Sequence, residues 1–197
     1  IRQAVRTGGG WRERVVTLDP DDPDRFVFAL GAMLSDADLA LLPERLHEAD
    51  EGSLVEMRPG DAPLVEEIAR RLKAAPGYAL FIDYGSDQPE FGDTLQALRR
   101  HEKVDPLEAP GTADLTAWAA FDRLALLGRN TGLDVYGPTA QGEFLKGLGV
   151  EQRAAALAAN AGESGRSRIA RQLHRLTDAA EMGALFKVIA LASPGLA

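Results

Sequence analysis

The residues best placed to do chemistry in this sequence include an aspartate at the end of a short apolar run. Residues 77–85 read Gly-Tyr-Ala-Leu-Phe-Ile-Asp-Tyr-Gly, so Asp83 ends the run and precedes Tyr84 and Gly85. Open α/β sheets bind ligands beyond the carboxyl ends of their strands, where a carboxylate can contact the ligand. Asp83 is therefore a candidate site residue, although aspartate is also a common turn former that can simply end a strand.

Several other chemistries lack the residues that they need. The chain has no cysteine, and its three histidines are scattered without a spacing that puts two ligands on one helical turn: His47, His101 and His174. We therefore expect no metal site. Gly8-Gly9-Gly10 lies between strand-like segments, which favours a hairpin over a phosphate loop. His101 could act as a base near neutral pH, with a solvated polar strand end as the alternative.

The composition is that of an ordinary globular chain. Its 197 residues, 45% hydrophobic and 26% charged, are enough for one substantial core. The formal charge of −8 argues against nucleic acid as the main partner and is compatible with a cationic substrate. No apolar run approaches the roughly 20 residues that cross a bilayer, so we expect a soluble, cytoplasmic protein with no membrane partner. The chain begins at Ile1 without an initiator methionine or signal-like segment, which suggests a processed or truncated beginning.

The elements around Asp83 follow from the hydrophobic pattern. Residues 1–31 alternate apolar with polar residues between turn formers, which predicts an antiparallel β-meander with one wetted face. Ser35 can cap a helix through Leu46, and Asp61 can cap a second helix whose apolar stripe faces a sheet: Leu64, Val65, Ile68 and Leu72. The second helix and the apolar run predict a right-handed crossover unit, with its strand buried on both faces of a parallel sheet.

The remainder of the chain is mainly helical and ends in a strand. Residues 139–176 contain several helical segments, and Ala184–Ala192 is apolar and β-branched enough to form a last strand beside the core. No Gly-x-Gly-x-x-Gly turn follows any predicted strand. Either this is not a cofactor-binding protein, or the half that carries the cofactor loop lies elsewhere.

Five segments, in order, resemble the carboxyl-terminal half of the MidA-like S-adenosylmethionine-dependent methyltransferases. They are Ala79–Gly85, Gly92–Ala97, Pro110–Ala117, Gly137–Leu145 and Met182–Ile189. The similarity extends over nearly the whole chain, and several motifs in the right order are far more specific than any one of them. The family includes the mitochondrial arginine methyltransferase that assists assembly of respiratory complex I.

The resemblance implies a fold, a cofactor and partners. The fold is α/β: residues 1–197 would form the carboxyl-terminal part of a single class I (Rossmann-like) methyltransferase domain, whose seven-stranded sheet ends with an antiparallel strand. Residues 1–31 would be its β-meander and residues 139–176 its helical insertion. The cofactor would be S-adenosylmethionine. The partner would be a protein substrate methylated on arginine, with a respiratory-complex subunit as one candidate, and a homodimer is a candidate assembly.

The resemblance also implies site residues. A guanidinium acceptor stays protonated below pH ~12 and is best held by carboxylates, which match its planar fork. The catalytic candidates are Asp83 and Asp114. The cofactor-binding candidates are Asp83, Tyr84 and Gly85, and the substrate-binding candidates are Tyr84, Asp93, Thr94, Gln96 and Gln141. Local roles remain as alternatives. Asp93 and Asp114 can cap helices or turns through the backbone, and Tyr84 can pack in the core. Local capping and surface hydration are the alternatives for the other three: Thr94, Gln96 and Gln141.

Two departures from the family pattern leave other functions open. The family's glycine-rich cofactor loop normally precedes the position of Ile1, and Trp118-Ala119-Ala120-Phe121 stands where the family usually has a polar residue, Val, Asp and Phe. A non-catalytic assembly factor or protein-binding module that retains the methyltransferase fold is the alternative. A small-molecule methyltransferase is a third hypothesis.

Overall fold

The structure is a computed structural model that describes residues 1–42, 44–46, 49–88 and 91–196, so His47 lies outside the described part. In chain order the strands are β1 (Arg2–Thr7), β2 (Gly10–Leu18), β3 (Phe26–Met33), β4 (Leu54–Met57), β5 (Tyr78–Ser86), β6 (Gln96–Arg99), β7 (Glu102–Val104), β8 (Asp114–Thr116), β9 (Ala119–Ala120), β10 (Asp134–Ala140) and β11 (Phe186–Ala192). The α-helices are α1 (Asp36–Leu39), α2 (Asp61–Ala74), α3 (Phe121–Asn130), α4 (Gln141–Gly147), α5 (Val150–Ala159), α6 (Glu163–Thr177) and α7 (Met182–Leu185).

The chain divides into two compact units. The first unit contains Ile1–Gly60 and Pro89–Trp118, and the second contains Asp61–Gln88 and Ala119–Ala197. Across the described residues, no helix has the length and apolar character that a membrane crossing requires. The mixed α/β class expected from the sequence is confirmed.

The first unit is built on the predicted meander. Its four-stranded sheet has the order β3-β2-β1-β4, with β1–β2, β2–β3 and β1–β4 all antiparallel. The register pairs Thr7 with Gly10, so Gly8 and Gly9 form the tip of a hairpin, as the triple glycine predicted. One face of this sheet buries Ala4, Trp11, Val55 and Met57 against Leu34. Burial of that face makes the register costly to shift, since a one-residue slip would turn these side chains to solvent.

A second, three-stranded sheet of the first unit has the order β7-β6-β8, with both pairs antiparallel. The β6–β7 hairpin pairs Arg99 with Glu102, so its two central residues are Arg100 and His101. Their φ angles are 54° and 70°, which is the left-handed conformation of a type I′ turn. Asparagine and glycine fit this turn with less strain than arginine and histidine do.

The second unit contains the sheet that carries Asp83. The strand order is β10-β11-β5-β9, in which β11 is antiparallel to both β10 and β5, and β9 pairs in parallel with β5 at two residues. Helices α2 and α3 cover one face of this sheet. The buried side chains of this core are Val65 and Leu72 of α2, Phe121 and Leu124 of α3, and Ile189 and Leu191 of β11. The buried Ser193 hydroxyl donates to the Leu72 carbonyl at 2.7 Å, and it accepts from the Gly77 amide at 2.9 Å. These bonds hold the end of α2 and the start of β5 beside the end of β11.

The prediction that β5 is buried on both faces of a parallel sheet is wrong for this chain. Its long neighbour is the antiparallel strand β11, and its parallel pairing is limited to Gly85 and Ser86. On the face away from α2 and α3, Tyr78 is 59% exposed, Leu80 53% and Ile82 45%. A continuous apolar run does not show whether one or both faces of the strand are buried, because the elements that bury a face lie elsewhere in the sequence.

Other element predictions need smaller corrections. The helix that Ser35 begins ends at Leu39, and a separate 3₁₀ turn follows at Glu44–Leu46. The strand before α2 is β4, which belongs to the meander sheet, so α2 and β5 do not form a crossover within one sheet. The last strand begins at Phe186, since Met182–Leu185 is helical, and it is antiparallel to its neighbours as predicted.

Candidate functional site

Asp83 lies near the carboxyl end of β5 in the second unit, where its side chain is exposed. One carboxylate oxygen, Oδ1, accepts a hydrogen bond from the Tyr84 amide at 2.8 Å, and Oδ2 forms no hydrogen bond or ion pair with another described residue. The register places Lys187 of β11 opposite Asp83, and the Lys187 ammonium contacts the carboxylate of Asp87 at 3.4 Å. The strand therefore ends in an accessible carboxylate beside a cation that is already paired.

Tyr84 and Gly85, which follow Asp83, differ in solvent exposure. The Tyr84 ring is half-buried and packs against Phe186, with ring centroids 5.6 Å apart and planes tilted by 58°. Gly85 is buried because the backbone of Ala119 in β9 lies against it, and a Cβ at Gly85 would be 2.1 Å from the Ala119 carbonyl oxygen. Close strand packing thus explains this glycine without a cofactor, whereas Tyr84 keeps part of a ring face accessible.

A partly buried polar network in the first unit contains Asp93. The Gln3 amide donates to Asp93 Oδ1 at 2.8 Å and to Glu56 Oε1 at 3.1 Å. The Arg14 guanidinium donates to the Gln3 carbonyl oxygen at 3.1 Å and to Asp93 Oδ2 at 2.5 Å. Burial raises the pKa of Asp93, but the hydrogen bonds from Arg14 and Gln3 and the charge of Arg14 lower it by more, so the net pKa is below its ordinary value. Asp93 therefore remains ionised well into the acidic range.

Glu56 connects the same network to Thr94 and, through Arg58, to Trp118, the last residue of the first unit. The Thr94 amide and hydroxyl donate to the two Glu56 oxygens at 2.9 and 2.6 Å, and the Arg58 guanidinium contacts Glu56 at 3.0 Å. Arg58 also donates to the Trp118 carbonyl, and the Trp118 amide donates to the Thr94 hydroxyl at 3.0 Å. Only 6% of the Glu56 side chain is exposed. The Thr94 hydroxyl is thus used as donor and acceptor within the fold, which gives no support to its predicted role in binding substrate.

Sequence reasoning did not find Glu56, Gln3, Arg14 or Arg58. In β4, Val55 and Met57 face the core, so alternation places Glu56 on the opposite face, where a charged residue is ordinarily solvated. Its burial depends on a contact with Thr94, 38 residues away in sequence. No local pattern carries that information.

Asp114 and Gln96 lie on neighbouring strands of the three-stranded sheet. The register pairs Gln96 with Thr116 and Leu98 with Asp114. Asp114 is exposed and lines an open cavity of about 430 Å³ together with Arg99, Arg100, Thr112 and nearby backbone. Arg99 is paired with Glu108 at 3.3 Å, whereas the Asp114 carboxylate contacts no described side chain. This cavity combines a free carboxylate with two guanidinium groups and therefore suits a polar or charged ligand.

Gln141 begins α4 in the second unit and is buried. Its amide nitrogen donates to the Leu176 carbonyl at 3.0 Å, at the carboxyl end of α6. This bond ties α4 to α6 and leaves the substrate-binding prediction for Gln141 without support from the geometry. Of the eight candidates, the structure places Asp93, Thr94, Gln96 and Asp114 in the first unit and Asp83, Tyr84, Gly85 and Gln141 in the second.

Comparison with known proteins decides the family. Residues 1–139 match the family model described as "Putative S-adenosyl-L-methionine-dependent methyltransferase". The chain belongs to this methyltransferase family. The resemblance drawn from the five ordered segments is thereby confirmed. The family model covers seven of the eight candidate residues and ends before Gln141.

Curated relatives of this family member carry the name protein arginine methyltransferase NDUFAF7, mitochondrial. The Rattus norvegicus protein is 33% identical over 97% of the chain, and the Homo sapiens protein is 32% identical over 97%. The chain spans 42% of the length of each of these two relatives.

Solved structures of Burkholderia thailandensis proteins from the COG1565 superfamily share the fold. A native crystal structure gives a TM-score of 0.80 at 31% identity over 96% of this chain and 51% of that chain. Another, bound to S-adenosyl-homocysteine, gives a TM-score of 0.79 at 31% identity over 97% of this chain and 49% of that chain.

Proposed function

We propose that this chain is part of an S-adenosylmethionine-dependent methyltransferase that modifies an arginine of a protein substrate. The observation that carries the proposal is the match of 97% of the chain, at a TM-score of 0.79, to a protein bound to S-adenosyl-homocysteine. The arginine acceptor is supported by the name of relatives that are 32–33% identical over the same share of the chain. Because the chain spans less than half of those relatives, the activity belongs to the full-length protein.

The acceptor is held by carboxylates in this proposal. Asp83 has an exposed carboxylate whose Oδ2 has no partner among the described residues, and Asp114 has a free carboxylate at the lining of the open cavity. Either group can orient a guanidinium through two oxygens and take up, at a carboxylate oxygen, the proton that the acceptor nitrogen releases. Asp93 is less suited to this role, since Arg14 and Gln3 already occupy both of its oxygens.

The end of β5 fits one side of the cofactor. When bound, S-adenosylmethionine supplies an electrophilic methyl group, and the protein supplies binding and orientation. Asp83 can accept from hydroxyl or amino groups, and the accessible part of the Tyr84 ring can pack against a flat base. Gly85 would contribute by letting Ala119 approach, because its own surface is covered. Asp83, Tyr84 and Gly85 do not line the described cavity, so we propose that the other side of the cofactor site comes from polypeptide outside this chain.

We further propose that the sheet of the second unit is completed to a class I (Rossmann-like) methyltransferase sheet. From Tyr78 to Tyr84 the edge of β5 opposite β11 has no strand partner among the described residues. Three apolar side chains on one face of that strand are exposed: Tyr78, Leu80 and Ile82. An unpaired apolar edge of this length is unfavourable in water and is suited to a further parallel strand.

Methyl transfer by the full-length protein tests the proposal. Titration calorimetry with S-adenosylmethionine is expected to show binding at or below about 1 mM, the upper range of ordinary enzyme affinities. Asp83→Asn is expected to reduce methyl transfer to arginine-containing protein acceptors by about 100-fold, the scale of a lost acid–base group. Asp114→Asn, assayed in parallel, shows which of the two carboxylates acts on the acceptor.

Asp22→Asn is the matched control for both variants. Asp22 is an exposed aspartate whose carboxylate accepts a local backbone hydrogen bond from Asp24 at 3.1 Å, as Asp83 accepts one from Tyr84. Absence of cofactor binding at millimolar concentration overturns the enzyme proposal. Transfer only to small molecules, identified by mass spectrometry, overturns the protein-substrate part of it.

A protein-binding module is the second candidate function, and the segment before α3 favours it. Ala119 and Ala120 form β9, so no acidic side chain is present where the family usually has one. A protein partner retained by both the wild type and Asp83→Asn, without methyl incorporation in either, would favour this function. Loss of methyl transfer in Asp83→Asn would count against it.

The remaining parts of the proposal concern the acceptor, assembly and location. We propose a respiratory-complex subunit as one candidate acceptor, a homodimer as the assembly and the cytoplasm as the location. Tandem mass spectrometry of methylated arginines, light scattering of the full-length protein and cell fractionation test these three statements separately.

A further inference from the structure

A row of three arginines on helix α6 takes no part in holding the fold together. Arg168, Arg171 and Arg175 are spaced by three and four residues, so they lie on one face of the helix. All three are exposed, and none has a hydrogen bond or ion pair with another described residue. We call Arg168, Arg171 and Arg175 the arginine row.

Most arginines with known contacts elsewhere in the chain have carboxylate partners. Arg2, Arg14 and Arg58 each contact an aspartate or glutamate. Even the exposed Arg70 and Arg71 on α2 share Glu67, at 2.7 and 2.8 Å. Four other arginines also form no side-chain hydrogen bond or ion pair with a described residue: Arg6, Arg100, Arg129 and Arg153. The arginine row differs from these because its three members share one face of one helix.

The row also opposes the charge of the rest of the protein. Helix α6 contains four arginines and one glutamate, a net charge of +3, whereas the whole chain carries −8, so the rest carries −11. Like charges at spacings of three and four residues repel one another on a helix surface. A cluster of like charges that forms no hydrogen bond or ion pair with the described residues is suited to a partner of opposite charge.

The opposite side of α6 anchors the helix. Ile169, Leu173 and Leu176 are partly buried, and α6 packs against α4, α5 and α7. Helical geometry places these apolar residues roughly opposite the arginine row. The row is therefore held in place by a packed helix and faces outward.

We propose that the arginine row docks an acidic segment of a partner protein. Arg168 and Arg175 are about 10 Å apart along the helix axis, at a rise of about 1.5 Å per residue. Carboxylates at positions i, i+3 or i+4, and i+7 of a partner helix match this spacing, and each can accept two hydrogen bonds from one guanidinium. This docking does not depend on methyl transfer and is a separate property of the chain.

Two other polyanions fit the observations less well. A membrane-surface helix inserts large apolar residues beside its cations, but the large apolar residues of α6 are turned toward other helices. Nucleic acid is an extended polyanion, and binding it would bring the remaining −11 charge of the chain toward phosphates. A short acidic protein segment can pair with the row and avoid both costs.

Fluorescence anisotropy with the full-length protein tests the proposal. The probe is a labelled helical peptide with glutamates at positions i, i+4 and i+7, and its partner probe has glutamines at the same positions. We expect binding of the glutamate peptide only, weakened at high salt. Arg168→Gln/Arg171→Gln is expected to weaken binding about tenfold, since it removes two exposed ion pairs of modest strength.

Arg70→Gln/Arg71→Gln is the matched control, because it removes the same charge from exposed arginines that already have a partner. It is expected to leave peptide affinity unchanged. No binding of the glutamate peptide at 1 mM, or an equal loss in both double variants, overturns the proposal. Tighter binding of duplex DNA or anionic vesicles through the same arginines also overturns it, because the partner is then a nucleic acid or a membrane. Self-association that Arg168→Gln/Arg171→Gln abolishes overturns it as well, because the partner is then a second copy of the chain.

Discussion

Glu56 shows how one buried carboxylate organises the first unit. It accepts two hydrogen bonds from Thr94 and pairs with Arg58, while its side chain is only 6% exposed. Arg58 in turn reaches the Trp118 carbonyl. Since residues 94 and 118 bound the segment that carries Gln96 and Asp114, Glu56 is a positioning residue for that segment.

Removal of the Glu56 carboxylate is expected to be costly. Glu56→Ala leaves Arg58 as a largely buried cation without its carboxylate partner, which is expected to cost up to about 3 kcal/mol in free energy of unfolding. Chemical denaturation of the full-length protein measures this loss. Glu67→Ala is the control: it also removes a glutamate paired with arginine, but at an exposed site where solvent screens the pair and the loss should be much smaller. Equal losses at the two positions would contradict the positioning role.

The depressed pKa of Asp93 predicts a pH-dependent contribution to stability. Its folded pKa lies below the unfolded value of about 3.9, so its contribution is complete well above that value and disappears as the pH falls through the folded pKa. Urea denaturation should show Asp93→Asn to be less stable than the wild type by about 1 kcal/mol at pH 7, because the pair with Arg14 is partly exposed. The difference should shrink below about pH 4. A difference that stays constant down to pH 3 would show that the Asp93 charge does not contribute.

At the scale of elements, the β6–β7 hairpin contains strain that a sequence change can remove. Arg100 and His101 both have positive φ, which costs about 1 kcal/mol or more for each residue with a side chain of this type. Arg100→Asn/His101→Gly supplies the residues preferred in a type I′ turn and is expected to raise the thermal unfolding midpoint by about 4 °C. Differential scanning calorimetry measures the shift. Glu102→Asn, in the adjacent strand, should give no increase, and an unchanged midpoint in the double variant would contradict the prediction.

The same hairpin bears on His101. Its exposed turn position fits the solvated strand end that the sequence left as the alternative to a catalytic base. Methyl transfer retained in Arg100→Asn/His101→Gly would separate the turn role from a catalytic one.

At the scale of the whole molecule, the open edge of β5 predicts how the chain behaves alone. Tyr78, Leu80 and Ile82 are between 45% and 59% exposed beside an unpaired strand edge. We expect the isolated 197-residue chain to aggregate or to require the rest of its fold. Light scattering after size exclusion should show large species for the wild type and fewer for Leu80→Lys/Ile82→Lys.

Leu115→Lys is the control for that experiment, because Leu115 is 62% exposed in a short strand of the other unit. It should leave aggregation unchanged. A monomeric isolated chain with a cooperative thermal transition would contradict the prediction.

The sequence by itself determined the family and several elements. The meander, the hairpin at Gly8-Gly9 and the existence of the last strand follow from alternation, turn formers and β-branched content, which are local properties. The antiparallel orientation of that strand was implied by the family resemblance. The family follows from ordered motifs, each a short run that can be compared without knowing its neighbours in space. The tertiary structure decided the rest. Gln3 forms a hydrogen bond with Asp93, 90 residues away, Ala119 covers Gly85, and one face of β5 is exposed. These outcomes depend on which segments distant in sequence come into contact, and periodicity along the chain does not determine such contacts.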